Sequence, residues 1–330
     1  MADGRRGVGM GDGGEKGRGK RDSGPFVKSL RDVELPADIS SAVPLGGTVG
    51  EMLDALADEM GGASGLPARQ VARDLIAAVV GQPRFWPTAH RDEPLAPATL
   101  VALSEASERL RRGMPFQYAV RRADFRTLTL YVDERVLIPR PETELLVELV
   151  LAQTGGAGTI ADVGTGSGAI ALALAAEGHY ERVIATDISS DALTVARHNV
   201  RAVPKDRRDV LEFRAGSYCA PLSGESLGAL VANPPYIAPA EAGELPDLVR
   251  NWEPSFALFS ARDGMAAIRA IVTGAVSVLA PHGVLALEVD TRRSADAAAL
   301  VDGTLAYEDV TIHKDLTGRE RFIVTRRKES

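Results

Sequence analysis

Cysteine is almost missing from this chain. Cys219 stands alone, which excludes an intramolecular disulfide framework and suits a reducing compartment. With no histidine close to it in sequence, it is expected to be a small buried filler rather than a nucleophile. Histidine is scarce as well: the five (His90, His179, His198, His282, His313) are scattered, with no pair at metal-ligand spacing, so no metal is expected. No apolar run approaches the ~20 residues that a membrane-spanning helix needs. The N-terminal stretch holds no apolar segment of signal-peptide length, so a cytoplasmic protein with no membrane partner is expected.

Positive charge is short overall and unevenly placed. The chain is net −7, yet residues 1–31 carry eight Lys/Arg against four acids, so the remainder stands at −11 against this +4 tail. An acidic body argues against broad binding to a phosphate backbone, and no direct nucleic-acid substrate is expected.

What is present reads as four segments. Residues 1–45, rich in Gly, Lys, Arg and Asp, cannot bury enough surface to offset their ordering entropy and are expected to be a disordered tail. Residues 46–115 carry helical periodicity: Val49, Leu53 and Leu56 share one face, Val71, Leu75 and Val79 a second, Leu103 and Leu110 a third. Their near balance of acids and bases suits recognition of a protein. Residues 116–138 change period, with a strand near Tyr118–Phe125 and another around Leu128–Val132 forming a hairpin linker.

Residues 139–330 alternate strand and helix. Strands are predicted at Thr159–Val163, Arg182–Thr186, Leu211–Arg214, Leu227–Ala232 and Gly283–Glu288, with helices at Ala169–Ala176, Asp191–Ala202 and Gly264–Leu279 between them. A last hairpin, Tyr307–His313 with Glu320–Thr325, turns at Asp315–Gly318. The fold class is therefore α/β: a doubly wound, mainly parallel sheet ending in an antiparallel hairpin, with a small helical N-terminal domain. By analogy of fold, that ending is typical of class I S-adenosylmethionine methyltransferases rather than of dehydrogenases.

Two motifs carry chemistry. Gly164-Thr165-Gly166-Ser167-Gly168 follows the first strand of the sheet, where glycines let the backbone turn tightly and approach a ligand. Roughly 20 residues on, Asp187 closes the next strand, placed to accept both ribose hydroxyls of a nucleoside. Glycines at G-x-G-x-G spacing, tighter than the dinucleotide fingerprint, favour a cofactor without pyrophosphate.

Asn233-Pro234-Pro235-Tyr236 follows the apolar strand Leu227–Ala232. An amide nitrogen is a weak nucleophile because its lone pair is delocalised into the carbonyl, so an enzyme methylating it must hold both N–H hydrogens and leave the lone-pair face toward the methyl donor. The Asn233 side-chain oxygen can take one hydrogen and the Pro234 carbonyl the other. The two prolines stiffen the turn, and Tyr236 offers a flat surface for a planar amide or base. Structural alternatives are a plain glycine turn and a strand-end turn with Tyr236 in the core. Arg140 and Glu142, in Ile138-Pro139-Arg140-Pro141-Glu142-Thr143-Glu144, read equally as a helix start capped by Thr143 or Glu142 and as a lid over the cofactor. Trp252-Glu253-Pro254 and Asp263-Gly264 read as pocket walls or as turns.

Taken together, Pro115-Phe116-Gln117-Tyr118, the Leu137–Glu144 run, the Gly164–Gly168 loop, Asn233–Tyr236 and Trp252-Glu253-Pro254 with Ala257-Leu258 resemble the protein N5-glutamine methyltransferases of class I peptide-chain release factors. The resemblance spans about residues 66–326 and implies S-adenosylmethionine as cofactor and class I release factors as partners, methylated at the glutamine of a Gly-Gly-Gln motif in support of translation termination. It places Arg140 and Glu142 beside the cofactor. Glutamine methylation of a ribosomal protein and adenine-N6 methylation of DNA are the alternatives. Three positions depart from the family. Ser217 stands where an Asp usually precedes an aromatic, here Tyr218, near the adenine. Asp290 replaces a glycine after Glu288-Val289, and Arg121 or Arg122 replaces a linker glycine.

Overall fold

A computed structural model describes residues 47–61, 67–261 and 263–329. The reading of residues 1–45 as a solvated tail lies outside them. Helix α1 (Val49–Met60) begins with a capping box, in which the Thr48 hydroxyl accepts from the Glu51 amide and Glu51 accepts from the Thr48 amide. With α2 (Ala68–Val80) and α3 (Pro97–Arg111) it encloses one apolar cluster built on Leu53, Leu56, Leu75, Ile76 and Leu103.

The linker differs from its sequence reading. Residues Phe116–Ala119 form a helical turn behind Pro115, and only β1 (Ala123–Phe125) is extended, pairing antiparallel with β2 (Leu128–Leu130). Tyr118 is not in a strand: it is buried, and its hydroxyl donates to the Val136 carbonyl. Arg121 takes φ +53°, the left-handed conformation that glycine tolerates best, whereas Arg122 does not.

Helix α4 (Thr143–Thr154) leads into the sheet. Strands β3 (Thr159–Val163), β4 (Arg182–Asp187), β5 (Leu211–Ala215), β6 (Leu227–Ala232) and β7 (Leu279–Glu288) are parallel, and β8 (Tyr307–Lys314) and β9 (Glu320–Arg327) close the edge as a hairpin. The order is β5-β4-β3-β6-β7-β9-β8. Alternate side chains sort to opposite faces. Ile160, Val183, Val231, Ala286 and Phe322 pack under α4 and α5 (Ala169–Glu177), while Ala161, Ile184, Leu230, Leu287 and Ile323 pack under α8 and α9 (Ala266–Ala275 and Ser294–Gly303). Helix α6 (Ser190–Asn199) carries the linker on Ala192 and Val195, and the short α7 (Asp247–Trp252) lies in the connection from β6 to α8. Helix α9 was not expected from the sequence, because its Ala-rich run (Ser294-Ala-Asp-Ala-Ala-Ala-Leu-Val) shows little periodicity. Among the described residues, no helix is long and apolar enough to cross a membrane.

Candidate active site

Register builds the site before any side chain does. Val163 of β3 pairs with Thr186 of β4 and with Ala232 of β6, and Ala232 pairs with Leu287 of β7. The next residues, Asp187, Gly164, Asn233 and Glu288, therefore form a row across the carboxyl ends of four neighbouring parallel strands. At ~4.8 Å per strand the row is about 14 Å long. The chain order reverses between β3 and β6, the switch point where open α/β sheets leave a crevice for ligands.

The glycine loop is held from below. Gly164 and Thr165 donate their amides to the Thr186 carbonyl, both at 2.9 Å, and the Thr165 hydroxyl donates to Asp162 Oδ2 at 2.7 Å. Thr165 and Ser167 are buried and turned into the protein, and the Ser167 carbonyl accepts from Asn199 Nδ2 at 2.9 Å. Gly164 and Gly166 have φ of +77° and +54°, and a side-chain carbon on either would meet no atom within 4 Å. The space over them is open to a ligand. Gly168 is glycine for another reason, since a side-chain carbon there would press on Leu172 at 2.9 Å. Asp187 accepts from the Gly166 amide through Oδ2 and from the Ser189 amide through Oδ1, both at 2.9 Å. Burial raises its pKa against the pull of those amides.

Two cavities meet at the Asn-Pro-Pro loop. The first, about 320 Å³, is lined by Gly164, Gly166, Asp187, Ser217, Tyr218 and Asn233 among others. The second, about 340 Å³, is lined by Arg140, Tyr236, Glu241, Asp290, Arg292 and Arg321 among others. Asn233, Pro234 and Pro235 line both. The geometry brings Gly164, Gly166, Asp187, Ser217 and Tyr218 to one side of this loop, and Tyr236 with Arg140 to the other. Thr165, Ser167, Gly168 and Glu142 line neither of these two cavities.

The loop is clamped from outside. Ser260 donates its amide to the Ile237 carbonyl at 2.8 Å, and Ile237 donates to the Leu258 carbonyl at 3.1 Å. A side-chain carbon on Gly264 (φ +82°) would sit 2.4 Å from the Tyr236 carbonyl, so the Asp263-Gly264 turn closes directly on the loop. Arg293 donates to the Asp263 carbonyl at 2.8 Å and to both oxygens of Glu241, fastening this wall to the sheet's end. Burial, with Glu288 nearby, pushes the Tyr236 hydroxyl up to about 12, so it stays protonated at neutral pH. Cys219 is buried and raised to about 11 by that burial.

The Arg140–Glu144 run does start a helix, α4 at Thr143, but the expected side-chain cap is absent. Neither Glu142 nor Thr143 caps α4 with its side chain. The Thr143 hydroxyl donates to Glu288 Oε2 at 2.7 Å, and Asn233 Nδ2 donates to Thr143 Oγ1 at 3.2 Å. Arg140 donates to Glu253 Oε1 at 2.6 Å, joining this run to the Trp252-Glu253-Pro254 turn. Glu288, Thr143, Arg321 and Asn199 were not singled out from sequence as site residues. Glu288 carried a usable signal, a carboxylate ending an apolar central strand at the sheet's ligand-facing end.

Comparison with known proteins supplies the family. Residues 141–245 match the family model described as methyltransferase small domain, and residues 51–120 match that described as PrmC N-terminal domain. The chain is similar to a release factor glutamine methyltransferase of Moorella thermoacetica, 43% identical over 247 residues that cover 73% of this chain and 85% of the relative. One from Lactococcus lactis subsp. lactis is 40% identical, covering 70% and 84% of the two chains. The hMettl16 catalytic domain, solved in complex with a MAT2A 3′UTR hairpin, shares the fold at a TM-score of 0.50 and 14% identity, covering 70% of this chain and 81% of that one. The chain belongs to the release factor glutamine methyltransferase family and is an S-adenosylmethionine-dependent protein-glutamine N5-methyltransferase.

Proposed function

We propose that the enzyme methylates the side-chain amide nitrogen of the glutamine in the Gly-Gly-Gln motif of class I peptide-chain release factors, in support of translation termination. The observation that carries this reading is the position of Asn233-Pro234-Pro235 as a wall shared by two cavities, with the glycine loop and Asp187 on one side and Tyr236 on the other. The first cavity fits a nucleoside cofactor. Gly164 and Gly166 leave an open cradle, and each Asp187 oxygen, though already holding one amide, keeps acceptor capacity for a ribose hydroxyl. Tyr218, 39% exposed on this cavity, and Ser217 would flank the base. The bound cofactor supplies an electrophilic methyl on a sulfonium.

The protein's own part is orientation. Asn233 Oδ1 and the Pro234 carbonyl would each take one amide hydrogen, leaving the nitrogen lone pair facing the first cavity. Tyr236 would support the amide plane as a neutral ring. The names of the relatives support a release factor as acceptor. Residues 46–115 would recognise that protein, 116–138 link, and 139–330 carry the chemistry. The test is incubation with labelled cofactor and three acceptors in parallel: release factor, ribosomal proteins and DNA. Label on the Gly-Gly-Gln glutamine alone, located by mass spectrometry, is expected. Label on another residue, or on the other acceptors instead, overturns the proposal.

A further inference from the structure

We propose that Thr143 and Glu288 are positioning residues that set which end of the Asn233 side chain faces the substrate. This deepens the proposed function and rests on Asn233 accepting from the substrate amide. The three residues lie 90 and 145 positions apart in the chain, yet form one continuous line of hydrogen bonds: Asn233 Nδ2 to Thr143 Oγ1 at 3.2 Å, and Thr143 Oγ1 to Glu288 Oε2 at 2.7 Å.

The two ends of an asparagine amide are nearly the same shape, so their direction is fixed by which partners can donate. An ionised carboxylate only accepts. Thr143 has one hydroxyl hydrogen, and Glu288 takes it. The hydroxyl oxygen then has only lone pairs for Asn233, and only the NH₂ end of Asn233 can meet them. Oδ1 is thereby turned away from Thr143, available to a substrate N–H. If Glu288 carried a proton, the line could run backwards. Its O–H would donate to Thr143, Thr143 would donate to Asn233 Oδ1, and the NH₂ end would confront the N–H of the substrate.

Glu288 lies at the end of β7 and is 1% exposed. Facing it are Thr143 and Glu142 from α4, Arg140 ahead of that helix, Tyr236 from the loop after β6, and Arg321 from β9. Burial is the main influence and raises its carboxyl to about 7. The relay is therefore in its working direction above about pH 7 and loses it below.

The test uses the full-length protein labelled with ¹⁵N-asparagine, with the Asn233 side-chain NH₂ resonance identified by its disappearance in Asn233→Asp. That resonance should shift with pH in step with Glu288 in the parent, and should stop doing so in Glu288→Gln and in Thr143→Val. In turnover on release factor, Thr143→Val should lower kcat on the order of 10-fold or more with cofactor affinity unchanged, and Thr143→Ser should restore it. The parent's kcat should rise through neutral pH, while Glu288→Gln should give a lower and flatter profile. An Asn233 resonance that does not titrate in the parent, or titrates equally in Glu288→Gln, overturns the relay, as does parent-like kcat in folded Thr143→Val. The resonance needs no substrate: if the parent methylates no release factor, the functional proposal falls while the spectra still decide the relay. Should Thr143→Val fail to fold, the parent and Glu288→Gln spectra decide it.

Discussion

Gly166 and Asp187 make the cofactor side of the site testable one atom at a time. The Gly166 backbone is left-handed (φ +54°) under open space and donates its amide to Asp187. Gly166→Val adds a branched carbon to a conformation that costs an L-residue ~1–2 kcal/mol, and places it where the ligand would lie. Asp187→Ala removes acceptors whose charged hydrogen bonds contribute ~1.5–3 kcal/mol each. Calorimetry should therefore show cofactor affinity weakened on the order of 10-fold or more in each. Unchanged affinity in both would remove the cofactor from this loop. Asn233→Ala tests the other side, since without the orienting acceptor the substrate nitrogen can rotate its lone pair away from the methyl. Single-turnover methylation should slow by about 10²-fold, with a smaller effect on cofactor binding. Because burial holds the Tyr236 hydroxyl protonated, near 12, Tyr236→Phe should stay closer to the parent than Tyr236→Ala, which removes the ring face itself.

Among the elements, the Asp263-Gly264 turn has the least freedom to vary. Gly264→Ala would drive a methyl into the Tyr236 carbonyl and the Arg293 guanidinium, at 2.4 and 2.6 Å, on a backbone at φ +82°. The expected outcome is a lower melting temperature and a loss of acceptor turnover that exceeds the loss of cofactor affinity. A variant with parent-like turnover would show that the turn does not brace the loop. Elements with strong local signals were legible in sequence. The strands Thr159–Val163 and Leu227–Ala232 fall where their apolar runs end at glycine or at Asn-Pro, and the last hairpin turns at Asp315–Gly318 as read. The linker was misread because Tyr118 and Phe125, both buried aromatics, resemble alternation, while Pro115 in fact starts a helical turn. The line from Glu288 through Thr143 to Asn233 was not legible at all. It exists only because strand register sets β7 beside β6, and no local spacing encodes that. Asn199 is a similar case: its side chain accepts from the Tyr131 amide and donates to the Tyr131 and Ser167 carbonyls, joining the linker to the glycine loop across distant sequence.

Across the whole molecule, the proposed chemistry and the proposed recognition fall in different stretches of the chain. The residues lining the two cavities lie between Arg135, at the end of the linker, and Arg321. The helices α1, α2 and α3 close an apolar cluster of their own, apart from the two on the faces of the sheet. Removing them should therefore leave cofactor binding nearly intact. The cut must respect the linker, because Tyr118 is buried with Val136 and Ile138 in the cluster packed on α6, and its loss would open a cavity beneath the site. A chain beginning at Met114 keeps that contact. Calorimetry on it should give a cofactor affinity within about threefold of the parent, a difference under ~1 kcal/mol. Its kcat/KM on folded release factor should fall by about tenfold or more, while a short Gly-Gly-Gln peptide, too small to reach the missing helices, should be methylated equally by both chains. Melting curves would verify that the shortened protein is folded. If it matched the parent on folded release factor, acceptor recognition would belong to the walls of the second cavity, and the charged groups Glu241, Glu244 and Arg292 there would be the next residues to change.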